Sequence, residues 1–286
     1  MFIGTDKLTY TYMPGTPFAS DALDNITFSL GRGSFTLLIG PSGSGKTTLI
    51  QHLNGLLKPT SGAVYFDGKK IGADKAALLS LRRRIGLVFQ MPEEQFFSET
   101  VYDEIAYAPR NLGLDENKVK ERVVKAVERV GLEHKDLLDR HPFQLSAGQK
   151  RLVAFAAVLS IEPEVLILDE PAAGLDPAGK QKLFNLLYGL NRSEEITVLV
   201  STHHLDEVAA LADYLLALKG GRLMMAGKAR EVLARRTELQ GLGLALPQVT
   251  EIMDQLSVRG LPVRKDIYSL SAACEEIIRV KRADQG

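Results

Sequence analysis

Leu145-Ser146-Ala147-Gly148-Gln149 and, fifteen residues later, Val165-Leu166-Ile167-Leu168-Asp169-Glu170 decide how this chain is read. Four consecutive apolar residues closing on two adjacent carboxylates predict a buried parallel strand that delivers acids to its carboxyl end. The serine and small residues ahead of an apolar run from Leu152 toward Ile161 predict a helix starting at Ser146. Upstream lies Gly40-Pro41-Ser42-Gly43-Ser44-Gly45-Lys46-Thr47, a full phosphate-binding loop. It follows a strand-like Phe35–Ile39 and opens a helix-like Lys46–Leu57, which is the context such a loop requires.

Each of these residues has a chemical reason to be there. Glycines let the backbone curl so that several N–H groups face one anion, and the helix start adds its dipole. Lys46 is expected to reach the β- and γ-phosphates of a nucleotide, and the Thr47 hydroxyl to ligate Mg²⁺. Two neighbouring carboxylates repel unless a cation or proton separates them, so Asp169 and Glu170 need different tasks. Asp169, last on its strand, suits the Mg²⁺ site, directly or through water, and Glu170 suits a general base on the attacking water. Gln90, ending a predicted strand Ile85–Phe89, is a neutral candidate ligand for Mg²⁺ or that water. His203 follows a predicted strand Ile196–Val200 and is a candidate sensor of the γ-phosphate. Ser146 to Gln149 form a second anion site, suited to a nucleotide held by another copy of the fold.

Composition narrows the class. The 286 residues are 45% apolar and 24% charged, as in an ordinary globular protein. Lys plus Arg and Asp plus Glu both number 35, so no overall charge favours nucleic acid or anionic lipid. Arg82-Arg83-Arg84 reads as the solvated end of a short helix beginning near Asp74. A single cysteine, Cys274, rules out an internal disulfide. No basic-then-apolar N-terminal signal is visible, and the longest apolar stretches fall short of the ~18 residues of a membrane-spanning helix. Transport, if driven by this chain, requires a separate membrane protein.

Antiparallel strands are expected over residues 5–31, and a hairpin where Ala63–Phe66 meets Asp67-Gly68. Residues 98–161 turn helical: Thr100 with Asp103 fits a capping box, Asp115 caps a second helix, and Gly131 stops it. Beyond the acid-bearing strand come a helix near 177–190 and a hairpin of Tyr214–Leu218 with Arg222–Met225. From about residue 245 the pattern restarts, with helices from Pro247 to Leu256 and from Ser271 to Val280.

These motifs, in this order, resemble those of the ATP-binding cassette (ABC) ATPases over roughly residues 5–235. The resemblance implies an α/β fold: a P-loop NTPase core of ABC type with an antiparallel β subdomain and a helical subdomain of about 92–162, plus a small C-terminal domain. It makes residues 1–244 the ATPase domain and 245–286 a dimerisation domain. It identifies Gly40 to Thr48 as Walker A, Val165–Asp169 as Walker B, Glu170 as the catalytic glutamate, Gln90 as the Q-loop glutamine and His203 as the switch histidine. Ala173 to Asp176 take the place of the D-loop. Tyr12 matches the aromatic residue that stacks on adenine, with Tyr10 close by. His204 stands where the family often has aspartate, and Ala147 replaces the first glycine of the usual Leu-Ser-Gly-Gly-Gln signature. The family works as a head-to-tail pair of ATPase subunits, homo- or heterodimeric, with ATP sandwiched between Walker A of one and the signature of the other.

Within that family the chain is similar to the energy-coupling factor transporter ATPases. Tyr10 to Phe18, Gln90-Met91-Pro92-Glu93-Glu94-Gln95-Phe96-Phe97 and Leu246 to Thr250 carry the likeness. It implies ATP and Mg²⁺ as cofactors, a second ATPase subunit and a transmembrane coupling protein as partners, and indirect contact with a small substrate-binding membrane subunit. It further implies a peripheral position on the cytoplasmic face of the cell membrane and uptake of a vitamin or transition-metal ion. Glu93 to Tyr107, with its acids and aromatics, is expected to be the docking surface for the coupling protein. Chromosome-structuring ATPases fit poorly, because only 55 residues separate Gln90 from Ser146 and no heptads run through them. Translation-factor ABC proteins carry two cassettes, and this chain has one. The alternative kept open is the ATPase of another importer class, for amino acids or metals.

Overall fold

The computed structural model describes residues 1–283 apart from Ala73, Glu133, His134, His204 and Glu207, so the reading of His204 lies outside the described residues. β1 (Ile3–Tyr12) and β2 (Ser20–Leu30) pair antiparallel around the Met13–Ala19 loop. β3 (Phe35–Ile39), buried at every residue, leads through the phosphate loop into α1 (Lys46–Leu53). β4 (Ser61–Phe66) and β5 (Lys69–Lys70) make the expected hairpin and complete a four-stranded sheet in the order β2-β1-β4-β5.

α2 (Lys75–Arg82) starts where Asp74 accepts the Ala77 N–H, and β6 (Ile85–Val88) follows. Arg82 and Arg83 are exposed at the end of α2, as expected, and only Arg84 departs from the solvated reading. Arg84 is half-buried and paired with Asp67 and Glu164, which hold its guanidinium charged, and its plane lies over Phe66. Arg84 therefore fastens the antiparallel sheet to the main one.

The helical stretch holds α3 (Val101–Asn111), α4 (Glu116–Arg129) and α5 (Ala147–Leu159). Asp115 caps α4 as expected, and Gly131, at φ 70°, ends it. Thr100 accepts the Asp103 N–H, but its hydroxyl donates to the Asp103 carboxylate, so only half of the expected capping box forms. β7 (Val165–Asp169), α6 (Pro177–Glu194), β8 (Thr197–Thr202), β9 (Tyr214–Lys219) and β10 (Arg222–Lys228) complete a six-stranded sheet ordered β10-β9-β3-β8-β7-β6. All neighbours except the β9–β10 hairpin pair parallel.

Strand alternation assigns the two faces. Leu37, Leu166, Leu168, Val198 and Val200 pack toward the helices, whereas Leu38, Val165, Ile167 and Leu199 pack toward α1 and the antiparallel sheet. Burial on both faces explains why β3, β7 and β8 read as continuous apolar runs. Two short helices, α7 (Ala229–Ala234) and α8 (Arg236–Gly241), were not expected; at six residues each they are too short to show a helical period. α9 (Gln248–Val258) and α10 (Leu270–Ala283) close around their own apolar cluster of Met253, Val263, Ile267, Ala273 and Val280. Leu244, Leu246 and Tyr268 belong to the main core instead. No helix of the described residues is long and apolar enough to cross a membrane.

Candidate active site

Parallel register brings the acids to the phosphate loop. β8 lies between β3 and β7, with Ser201 opposite Asp169 and Thr202 opposite Ile39. The carboxyl ends of three neighbouring strands thus meet in one crevice, where open α/β sheets bind ligands. A cavity of about 490 Å³ lies there, lined by Tyr12, Ser42 to Thr48, Gln90, Asp169, Glu170 and His203 among others.

The loop is shaped for an anion. Gly45 precedes α1 at φ 102° and supplies no side-chain cap, which leaves the first-turn amides of α1 facing the cavity. Gly40 has no room for a side chain, because a Cβ would collide with the Leu218 carbonyl and the Ser44 hydroxyl. Lys46 Nζ sits over the loop, donating to the Gly40 carbonyl at 2.8 Å and to the Pro41 carbonyl at 3.2 Å. Gly40 and Pro41 therefore act through their carbonyls and do not line the cavity. The Ser44 hydroxyl, also lining it, is buried without a hydrogen-bond partner.

Across the cavity, the Thr47 hydroxyl donates to Asp169 Oδ2 at 2.6 Å. The Ser201 hydroxyl donates to Asp169 Oδ1 and accepts the Glu170 N–H at 3.0 Å. Asp169 is buried and fully oriented by these two hydroxyls. Glu170 has φ 48°, a left-handed conformation costly for a residue with a Cβ, and such strain concentrates at functional sites. Its carboxylate accepts from His203 Nδ1 at 2.9 Å on both oxygens and lies 3.7 Å from Lys46 Nζ. The Glu170 carboxylate, the His203 imidazole and the Lys46 ammonium therefore meet at one point.

Tyr12 lines the cavity and shares a 3.1 Å hydrogen bond with the Thr48 hydroxyl. Tyr10 instead packs edge-on against buried His52, outside the cavity lining. Gln90 lines the cavity from an exposed position two residues beyond β6.

Ser146, Ala147, Gly148 and Gln149 are not brought to this cavity. Ser146 caps α5 in a reciprocal box: its hydroxyl accepts the Gln149 N–H, and its own N–H donates to Gln149 Oε1 at 3.0 Å. Ala147 is an exposed first-turn residue, and a Cβ on Gly148 would meet nothing within 4 Å, so a methyl group at this helix start crowds nothing in the chain.

The expected docking segment is only partly available. Glu93 is bound to Arg151, Asp103 to Arg110, Phe96 is buried, and Tyr102 packs on the core beneath Arg110. Exposed there are Glu94, Glu99 and the Phe97–Tyr107 pair, whose rings meet edge to face at 4.7 Å. Two participants escaped the sequence reading. Ser201 was signalled by a polar pair ending the apolar run Ile196–Val200. Arg151 was signalled by a cation among the apolar residues of a helix.

Comparisons with known proteins identify the family. Residues 23–173 match the family model described as ABC transporter. The energy-coupling factor transporter ATP-binding protein EcfA2 of Clostridium acetobutylicum is 46% identical over 280 residues, 98% of each chain. Its counterpart from Symbiobacterium thermophilum is 46% identical over 281 residues, 98% of this chain and 97% of the other. Among solved structures, cbiO1 from Clostridium perfringens, part of the ABC transporter complex cbiONQ, superposes with a TM-score of 0.75 at 38% identity, over 88% of this chain and 98% of that one. The ATP-binding cassette MJ0796, solved as a dimer with ADP and Pi, gives 0.71 at 29% identity over 80% and 99%. The chain belongs to the ABC transporter ATPases and, within them, to the energy-coupling factor transporter ATP-binding proteins. It is thus an ATP-binding and ATP-hydrolysing transporter subunit.

Proposed function

We propose that this chain binds ATP with Mg²⁺ in the cavity over the phosphate loop and hydrolyses it against the signature segment of a second ATPase subunit. The observation that carries this reading is the gathering of Lys46, Thr47, Gln90, Asp169, Glu170 and His203 around one cavity, while Ser146 to Gly148 stay exposed elsewhere. One half-site is complete in the chain, and the other is turned outward.

The residues fit a hard cation and a polyphosphate. Thr47 and Asp169 offer a hydroxyl and a carboxylate oxygen 2.6 Å apart, with Gln90 as a neutral oxygen donor nearby, a donor set suited to Mg²⁺ carried in on phosphates. Bound there, Mg²⁺ would neutralise charge on the β- and γ-phosphates. Ser201 keeps Asp169 aimed. Lys46 and the α1 amides would receive the phosphates, Tyr12 would stack on adenine, and Glu170 would orient and deprotonate the attacking water while His203 holds its carboxylate.

Partners follow from the same reading. The signature helix would complete the site of the other ATPase, and residues 245–286 would act as a dimerisation domain, their separate apolar cluster supporting a semi-independent unit. The exposed Phe97–Tyr107 pair with Glu94 and Glu99 would dock a transmembrane coupling protein, which also contacts a small substrate-binding membrane subunit. The chain would then sit peripherally on the cytoplasmic face of the membrane and power uptake of a vitamin or a transition-metal ion. Nucleic acid has no place in this scheme.

Co-expression with the products of neighbouring genes, followed by purification of the tagged chain from solubilised membranes, tests the assembly. Recovery of a second ATPase, a coupling protein and a small membrane subunit is expected. Recovery of a conventional permease pair, or of no membrane protein, would overturn the proposed partners.

A further inference from the structure

Among the described residues of the helical subdomain, Arg151 is the charged one buried most deeply, at 5% exposure, and none of its hydrogen-bond partners lines the nucleotide cavity. It sits on α5, five positions after Ser146. Its Nη1 donates to the Pro171 carbonyl at 2.5 Å, and its Nη2 donates to the Ala173 carbonyl at 3.3 Å and to Glu93 Oε1 at 2.8 Å. Nε and Glu93 Oε2 also lie 2.8 Å apart, as an ion contact without hydrogen-bond alignment.

Three segments meet on this one guanidinium. Glu93 lies in the short turn Pro92–Gln95, three residues past Gln90 and beside exposed Glu94 and Phe97. Pro171 and Ala173 belong to the turn immediately after Glu170, closed by the Ala173 N–H donating to the Glu170 carbonyl at 3.1 Å. α5 itself begins at the signature segment. Glu170 needs an external hold, because its left-handed backbone is not a conformation the residue keeps by preference. A planar fork that binds two carbonyls and a carboxylate at once supplies that hold, and an ammonium group does not.

We infer that Arg151 is a positioning residue for Glu170, locking the turn after the catalytic glutamate to the turn after Gln90 so that the two move as one. A displacement of the segment bearing Glu94 and Phe97 pulls on Glu93, and through Arg151 on Pro171 and Ala173. The device acts on the water-activating group and leaves the phosphate loop alone. It rests on the assignment of Glu170 as the base.

The test is steady-state ATP hydrolysis by the purified transporter complex carrying Glu93→Gln, Arg151→Lys or both. Each single variant is expected to lower kcat about tenfold with the KM for ATP within about twofold, since Lys46, Thr47 and Tyr12 are untouched. The double variant is expected to be no slower than the slower single, because both break one link. Glu93→Asp, which keeps the charge, is expected to recover part of the lost kcat. If Arg151→Lys does not assemble, the series Glu93→Gln and Glu93→Asp reads the same link. Losses that multiply in the double variant, a raised KM at unchanged kcat, or normal rates in both singles would overturn the inference. Glu170→Gln is run alongside. If it stays active, the assignment of the base has failed; if it is inactive while the Arg151 and Glu93 variants are normal, only the link has failed.

Discussion

Two helix starts in this molecule are built in opposite ways. α1 begins at a glycine in a left-handed conformation, and no side chain caps its first turn. α5 begins at a serine that spends its hydroxyl on Gln149 N–H while Gln149 returns the favour. A helix start uncapped at the edge of a crevice is unfinished until an anion arrives. One that caps itself is stable without a ligand and keeps the serine proton free to donate outward. Under the proposed function the difference divides the labour: the chain would carry its own nucleotide cradle and lend a pre-formed second wall to a neighbour.

The sharpest way to break that comparison is to disable the chemistry of the cradle while leaving its binding groups alone. Glu170→Gln keeps the shape and removes the base. Hydrolysis should fall by roughly 10²- to 10⁴-fold, the usual worth of a positioned general base. ATP affinity, followed with a fluorescent nucleotide, should stay within about threefold. Near-normal turnover would remove Glu170 from its role and leave the convergence on His203 and Lys46 without a chemical purpose.

Ser146→Ala probes the other helix start. Loss of the cap costs about 1 kcal/mol of helix stability, a modest structural price. ATP binding by the isolated chain should be unchanged, because Ser146 lies away from the cavity. Hydrolysis at the composite site of the assembled dimer should fall about tenfold. Equal loss of affinity in the isolated chain would contradict the division between the two starts.

Legibility in the sequence followed the same division. The phosphate loop, the paired acids, Gln90 and His203 could be read because each follows or ends an apolar strand, and the unbroken apolar runs of β3, β7 and β8 mark where those strands stop. The spatial order β3-β8-β7 is not written in any local window, so Ser201 was missed although it sits opposite Asp169 in register. Arg84 and Arg151 were illegible for a related reason: their counter-charges, Glu164 and Glu93, lie 80 and 58 residues away. Glu93 to Tyr107 is expected as one docking surface, yet Glu93 and Phe96 turn inward, because an alternation of acids and aromatics does not say which side chain does so.

Tyr12→Ala tests the cradle more gently. Stacking of a base on an aromatic ring is worth about 1–3 kcal/mol, so the KM for ATP should rise roughly tenfold with kcat little changed. Tyr10→Ala should not raise KM to that extent, because Tyr10 packs edge-on against His52 and the Tyr12 ring and lies outside the cavity lining. Equal effects at both positions would move the adenine platform off Tyr12.

The smallest effect on turnover, and the one that isolates the C-terminal helices from both helix starts, is expected at Glu276. Its buried carboxylate accepts from Arg279 Nη2 at 2.7 Å and Nε at 2.9 Å, and from the Arg264 N–H at 2.9 Å. Arg279 first, then the Arg264 amide, hold its pKa down to about 2, against 4.5 for an ordinary glutamate. A carboxylate with a depressed folded pKa stabilises fully above its unfolded value and loses that contribution as pH falls toward its folded one. α10 should therefore stay docked on α9 above about pH 4.5 and loosen progressively between there and pH 2. Asp67 and Glu164 are depressed too, by Arg84 above all, so wild-type acid sensitivity alone does not locate the effect. The difference does: amide exchange of residues 264–283 should rise with acid in the wild type and already be raised, with a flatter acid dependence, in Glu276→Gln. ATP hydrolysis by that variant at pH 7 should remain near normal as long as the dimer holds, since neither helix start touches α10. An acid dependence identical in the two proteins would assign the transition to carboxylates other than Glu276, such as Asp67, Asp103, Glu162 and Glu164, and make the C-terminal helices a passive part of the core.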